Sequence, residues 1–178
     1  MDARRIFTDV GHNIFVSHRD ACDYWQDKER VIHIWRDDMP GGNSCNAINS
    51  GNAAGLVINY KDGESLLKAD VSIEKIADFF KGADPLLVHC TVGQTRSPTI
   101  AIIGKVVRGA SPYTAIADIV RATWETRRIV ANLCITPLQD IFLWAEPVGS
   151  GVLHPHIPLK VQLGPYGTVR FNLSNRNA

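Results

Sequence analysis

Cysteine is scarce in this chain of 178 residues, and its placement excludes two classes of protein at once. Cys22, Cys45, Cys90 and Cys134 are widely scattered and form no Cys-x-x-Cys pair. Neither a disulfide framework nor a zinc site is expected from such spacing, and free thiols suit a reducing cytoplasm. An excess of charge is missing too. Lys and Arg number 19 against 18 Asp and Glu, giving a net charge of +1 without a long basic run. General affinity for DNA is therefore not expected. No apolar stretch approaches membrane-spanning length, and Met1-Asp2-Ala3-Arg4-Arg5-Ile6-Phe7 has no signal-like apolar core, so no membrane partner is expected. No internal repeat is evident. What is present, 45% hydrophobic and 21% charged residues, is ordinary for a soluble domain with a sizeable core.

The informative stretch is 86–108. Leu86-Leu87-Val88 is a short apolar run after Asp84-Pro85 and predicts a buried strand. A helical pattern starts after Arg96, with Ser97 and Pro98 where helix starts favour them. A loop running from a strand's carboxyl end into a helix amino terminus turns several backbone N–H groups into one bowl. Such a bowl holds a phosphate-like dianion. Cys90 stands at its base, where the helix dipole, the loop amides and Arg96 favour the nucleophilic thiolate. Arg96 brings a planar fork that clamps two phosphoryl oxygens. Gly93 permits unusual dihedrals and close backbone approach in mid-loop. Ser97 offers a hydroxyl to the sulfur as leaving group, and His89 is expected to orient the loop through hydrogen bonds.

Val88-His89-Cys90-Thr91-Val92-Gly93-Gln94-Thr95-Arg96-Ser97-Pro98-Thr99 resembles the signature of the cysteine-dependent protein phosphatases, closest to the dual-specificity branch. The likeness extends more weakly over about residues 12–146. It implies an α/β fold with a central mixed, largely parallel sheet flanked by helices. It further implies cofactor-free and metal-free phosphomonoester hydrolysis, with a general-acid Asp on a separate upstream loop. Val92 departs from the pattern, since a small Ala or a charged residue is more usual there.

Asn13–Ser17 predicts a first strand, and Ser17 with Asp20 a capping box opening a short helix through Ala21, Tyr24 and Trp25. Val31–Trp35 predicts a second strand, with His33 a hydrogen-bonded sheet residue. Arg36, Asp37 and Asp38 leave its carboxyl end as a turn or pocket rim. The Gly-, Asn- and Ser-rich residues 40–55 predict a surface loop holding Cys45. Leu56–Tyr60 predicts a strand ending at Lys61-Asp62-Gly63-Glu64. Asp62, 28 positions before Cys90, is the favoured general acid, although Asp-Gly is also a tight-turn signal. Glu64 and Asp37 are lesser candidates. Asp70 is expected to cap a helix carrying Ile73, Ile76, Ala77 and Phe80.

Beyond the signature, Ile100, Ile102, Ile103, Val106 and Val107 predict a helix buried all round. Ser111-Pro112 opens another, with Ile116, Ile119, Val120 and Trp124 inward. Arg121, Arg127 and Arg128 are solvated or help to attract a phosphorylated partner. Thr136-Pro137-Leu138-Gln139 resembles a capping box before Leu138, Ile141, Phe142 and Trp144. Residues 1–146 thus form the expected catalytic domain and 147–178 an extension. In that extension Gly149-Ser150-Gly151 is linker-like, and His154-Pro155-His156 an extended surface segment. Val161-Gln162-Leu163 and Thr168-Val169-Arg170-Phe171 predict a β-hairpin, packed on the domain or paired with another chain.

Four functions fit these residues. The first is a protein phosphatase acting on phosphotyrosine and phosphoserine or phosphothreonine in proteins or peptides. The second is a phosphate-recognising binding module that turns over poorly. RNA 5′-triphosphate hydrolysis or rhodanese-like sulfur transfer would use a related loop. Thr91, Val92, Gly93, Gln94 and Thr95 include no Lys or Arg, which disfavours an inositide head group.

Overall fold

The apolar runs become the strands of one twisted sheet in the computed structural model, which describes residues 7–19, 25, 30–36, 45–51, 54–145, 158–163 and 169–173. The strands are β1 (Thr8–Asp9), β2 (Ile14–His18), β3 (Arg30–Trp35), β4 (Ala54–Asn59) and β5 (Leu86–Cys90), in spatial order β1-β2-β5-β3-β4. All neighbouring pairs are parallel except β1 with β2. Every residue of β5 is buried, as a central parallel strand covered on both faces requires. The expected mixed, largely parallel α/β sheet flanked by helices is what forms.

One face of the sheet meets α2 (Ile73–Phe80), α3 (Arg96–Val107), α4 (Pro112–Arg127) and α5 (Ile135–Ala145). Val16, Ile32, Val88 and Cys90 point into this larger core with Phe80, Ile100, Ile103, Ile119 and Ile141. The other face holds a smaller core of Trp25, Val31, Cys45, Ala47 and Leu87, flanked by Phe15 and Ile48. Alternation along β5 assigns Val88 and Cys90 to the first face and Leu87 and His89 to the second. A two-residue strand, β6 (Leu133–Cys134), pairs antiparallel with β7 (Pro158–Leu163), and β7 with β8 (Val169–Leu173). The expected hairpin therefore forms, and it extends onto β6 of its own chain. The linker-like Gly149–Gly151 and the segment His154–His156 lie outside the described residues. No helix among the described residues is long and apolar enough to cross a membrane.

Several local expectations are corrected. Residues 45–51 are not a plain surface loop: Cys45 is buried and leads into a one-turn helix, α1 (Asn46–Asn49). Asn- and Ser-rich composition signals turn propensity, yet one turn of helix lies over the sheet with Ala47 and Ile48 packed inward. Asp70 does not cap α2. Ser72 does, its hydroxyl accepting from Lys75 N at 3.2 Å, while Asp70 accepts from Asn59 N at 2.8 Å. Trp124 is exposed, because the inward stripe of α4 runs through Ala115, Ile116, Ile119, Val120 and Thr123. The Thr123 hydroxyl donates to Ile119 O at 2.7 Å, which lets a polar residue face the core. Helix α5 begins at Ile135, so Pro137 falls in its first turn, where its missing N–H breaks no helical bond. Of the helix expected through Trp25, only Trp25 is described, packed against Phe7 and Phe15. Helix α3 does bury nearly its whole circumference. Even Lys105 is buried, held by Val10 O, by His12 Nδ1 at 3.0 Å and by Asp118 at 3.1 Å.

Gly104 lets α3 lie close against Phe80 of α2. A Cβ there would sit 2.3 Å from the ring of Phe80, which is itself fully buried. Helix propensity alone favours Gly→Ala by about 1 kcal/mol. Overpacking a site that cannot yield costs about 1–3 kcal/mol. The clash is expected to win, so Gly104→Ala should lower unfolding stability in urea; a rise in midpoint would contradict the close contact.

Candidate active site

Residues 91–95 connect β5 to α3 without regular structure, and their carbonyls are held from outside. Thr91 O accepts from Arg19 N at 3.3 Å. Val92 O and Gly93 O accept from the two terminal nitrogens of Arg127, at 2.8 and 3.0 Å. Gln94 O accepts from Asn132 N at 2.9 Å, and the Gln94 side chain donates to Val130 O at 3.1 Å. Because a planar trans peptide sets each N–H opposite its C=O, engagement of these four carbonyls by outside donors turns the amides of Val92, Gly93, Gln94 and Thr95 the other way. Gly93 N donates to Cys90 Sγ at 3.2 Å, and Ser97 Oγ lies 3.3 Å from the same sulfur. Thr95, the cap residue of α3, contributes no side-chain cap, so the first helical amides are left to a ligand or solvent.

Glycine is required at 93. Its φ is +75°, and a Cβ would lie 2.7 Å from the Ser17 carbonyl and 2.8 Å from the Arg127 guanidinium. Arg127 was the signal hardest to read in sequence. As a basic residue ending a helix it resembles any solvated arginine, yet it is half-buried against the loop. Burial pushes its pKa down, and the charge of Cys90 opposes that shift. Arg121 instead pairs with Asp118 at 3.6 Å, and Arg128 closes α4 in the left-handed conformation.

Arg96, in the first turn of α3, is nearly completely buried. Its Nη2 donates to Thr91 Oγ1 at 2.9 Å and its Nε contacts Asp62 Oδ1 at 2.9 Å. Its Nη1 is buried without a hydrogen-bond partner among the described residues, a donor in reserve for an oxyanion. Asp62 is half-exposed and also faces Arg36 at 3.9 Å. Asp62 occupies a turn in which Glu64 N donates to Lys61 O at 3.3 Å and Gly63 has φ +76°, and that turn carries the carboxylate to Arg96. The turn is braced on both sides. Tyr60 hydroxyl donates to Glu64 O at 2.9 Å, and burial pushes the phenol pKa up, so it stays a donor. Asp140 from α5 accepts from Ser65 Oγ at 2.7 Å and Leu66 N at 2.8 Å.

The fold thus brings Cys90, Thr91, Val92, Gly93, Gln94, Thr95, Arg96, Ser97 and Asp62 to one place. His89 is elsewhere: its imidazole lies on the opposite face, with Nε2 3.4 Å from Cys45 Sγ. The loop-orienting role expected of His89 falls instead to Arg127, Asn132 and Arg19. Glu64 serves its turn through its carbonyl, and Asp37 lies outside the described residues.

No family model matches the chain, and no curated protein does. Solved structures that share its fold include Tk-PTP and PTPMT1. Tk-PTP in its active form superposes with a TM-score of 0.54 at 15% identity, over 80% of this chain and 97% of that one. PTPMT1 superposes with a TM-score of 0.56 at 16% identity, over 79% of this chain and 94% of that one. Theirs is the fold of this chain.

A bowl of inward amides with one guanidinium and a sulfur at its base suits a tetrahedral dianion. Gly93→Ala should disrupt it from two directions, through the left-handed backbone and through the contact with Ser17. Titration of the folded variant with vanadate, followed by calorimetry, is expected to show affinity reduced at least tenfold. Wild-type affinity would mean that the amides of the loop do not hold the anion.

Proposed function

We propose that this protein is a cysteine-dependent phosphoric monoester hydrolase of the dual-specificity type, acting on phosphorylated proteins or peptides. The observation that carries the reading is the set of externally bound carbonyls in the loop after Cys90, with Arg96 held against Thr91 of the same loop. The signature residues and the shared fold support it further.

In the first step Cys90 Sγ attacks phosphorus, and an S–P bond forms as the ester P–O bond breaks. The departing oxygen takes a proton from Asp62, which therefore enters the cycle as the acid. Arg96 and the amides of 91–95 bind the three equatorial oxygens, and that stabilisation contributes the largest part of the acceleration. In the second step water attacks the phosphocysteine while Asp62 accepts its proton. The sulfur leaves as thiolate, with Ser97 Oγ donating to it at a separation already near 3.3 Å. The apolar, exposed Val92 stands on the loop and gives a substrate peptide a contact that carries no charge.

Metal-free hydrolysis of an aryl phosphate, of phosphotyrosine, phosphoserine and phosphothreonine peptides, and of RNA 5′-triphosphate tests the proposal. Vanadate-sensitive turnover of the peptides, lost in Cys90→Ser, is the expected result. Asp62→Ala should slow peptide hydrolysis by about 10²–10⁴-fold, and hydrolysis of a nitrophenyl phosphate less, since its acidic phenol leaves with little need of a proton. Phosphate binding without turnover would make the protein a recognition module. Turnover of the RNA end alone would move the substrate class.

A further inference from the structure

His89 directly precedes the candidate nucleophile but faces away from it, and it is not alone there. His33 and His89 are register partners on the parallel neighbours β3 and β5, so their side chains share one sheet face. Their rings lie 4.8 Å apart, tilted by 45°. Cys45 enters the same space from the segment covering that face, with Sγ 3.4 Å from His89 Nε2. All three side chains are buried, and one donor atom from each lies within 4.8 Å of the other two.

We propose that His33, Cys45 and His89 form a binding site for one borderline transition-metal ion, separate from the phosphate-binding loop. Zinc–nitrogen bonds of about 2.0–2.1 Å and a zinc–sulfur bond of about 2.3 Å give tetrahedral edges near 3.4 and 3.6 Å. The Cys45–His89 separation already has that length. The remaining edges close by at most about 1.5 Å, within reach of side-chain rotation. Two imidazoles and a thiolate select zinc, cobalt or copper over magnesium and calcium, which take oxygen ligands. Ligation through His89 Nε2 replaces its contact with the Cys45 sulfur and leaves the ring proton on Nδ1. Binding forms the sulfur–metal bond and releases the Cys45 thiol proton to solvent, with no change of oxidation state. The fourth position belongs to water or another ligand.

The site does not depend on phosphatase activity, and its test is run on the full chain carrying Cys90→Ser as well as on wild type. After chelation, titration with Co²⁺ should produce a thiolate-to-cobalt charge-transfer band saturating at one ion per chain. Zn²⁺ should displace the cobalt and raise the melting temperature. The band should persist in Cys90→Ser and vanish in Cys45→Ser. His33→Gln should weaken zinc binding by at least about 10-fold, and it serves as the readout should Cys45→Ser not fold. Folded wild-type protein that gives no band overturns the proposal, leaving an ordinary thiol–imidazole hydrogen bond. A band lost in Cys90→Ser but kept in Cys45→Ser also overturns it, because the ion then sits at the nucleophile.

Discussion

The outward anchoring of four consecutive carbonyls, from Thr91 to Gln94, is the constraint on which the candidate site depends. A five-residue loop outside helix and sheet has no internal ladder to hold its peptide planes. Left alone it would sample many orientations, at an ordering cost of about 1–2 kcal/mol per residue. Here the donors come from the end of β2, the last turn of α4 and the segment leading to β6. Each is fixed by its own packing. The loop is therefore shaped by the whole domain, and an amide bowl around Cys90 exists only when those elements are assembled.

The same logic holds for Asp62. An exposed Asp-Gly turn is among the least demanding pieces of backbone, yet this one is tied to the Tyr60 hydroxyl and the Asp140 carboxylate. Those bonds convert a flexible connection into a platform that presents a carboxylate to Arg96 at 2.9 Å. The Arg96 contact leaves Nη1 uncommitted, so the guanidinium is oriented without being used up.

What could be read in advance divides along a physical line. Strand β5, helix α3 and the positions of Cys90, Gly93 and Arg96 were legible because local pattern and short spacing specify them. The turn role of Asp62 was legible as well, but its contact with Arg96 was not, since no local pattern specifies it. Long-range donors were not legible. Arg127 lies more than thirty positions from the carbonyls it binds, and nothing in a helix-ending arginine announces a buried partner. Trp124 misled for a related reason. It sits one position from Thr123, and a helix stripe wide enough to take either residue does not say which turns inward. Composition likewise described residues 40–55 as surface, whereas burial of Cys45 depends on what the opposite sheet face leaves uncovered.

Identity of 15–16% to two structures of the same fold is what this division would produce. The acceptors that shape the loop are backbone carbonyls, present whatever the side chains are. Two of their donors, Arg19 N and Asn132 N, are backbone amides and equally indifferent to residue type. Side-chain identity is demanded only where a guanidinium, a thiol, a hydroxyl or a missing Cβ enters the geometry. That leaves a handful of fixed positions in 178, and the cores around them need only be apolar and of suitable volume. The second sheet face is freer still, since it has to cover β3 and β5 and need not approach the nucleophile. The second face can therefore carry imidazoles and a thiol without disturbing the loop.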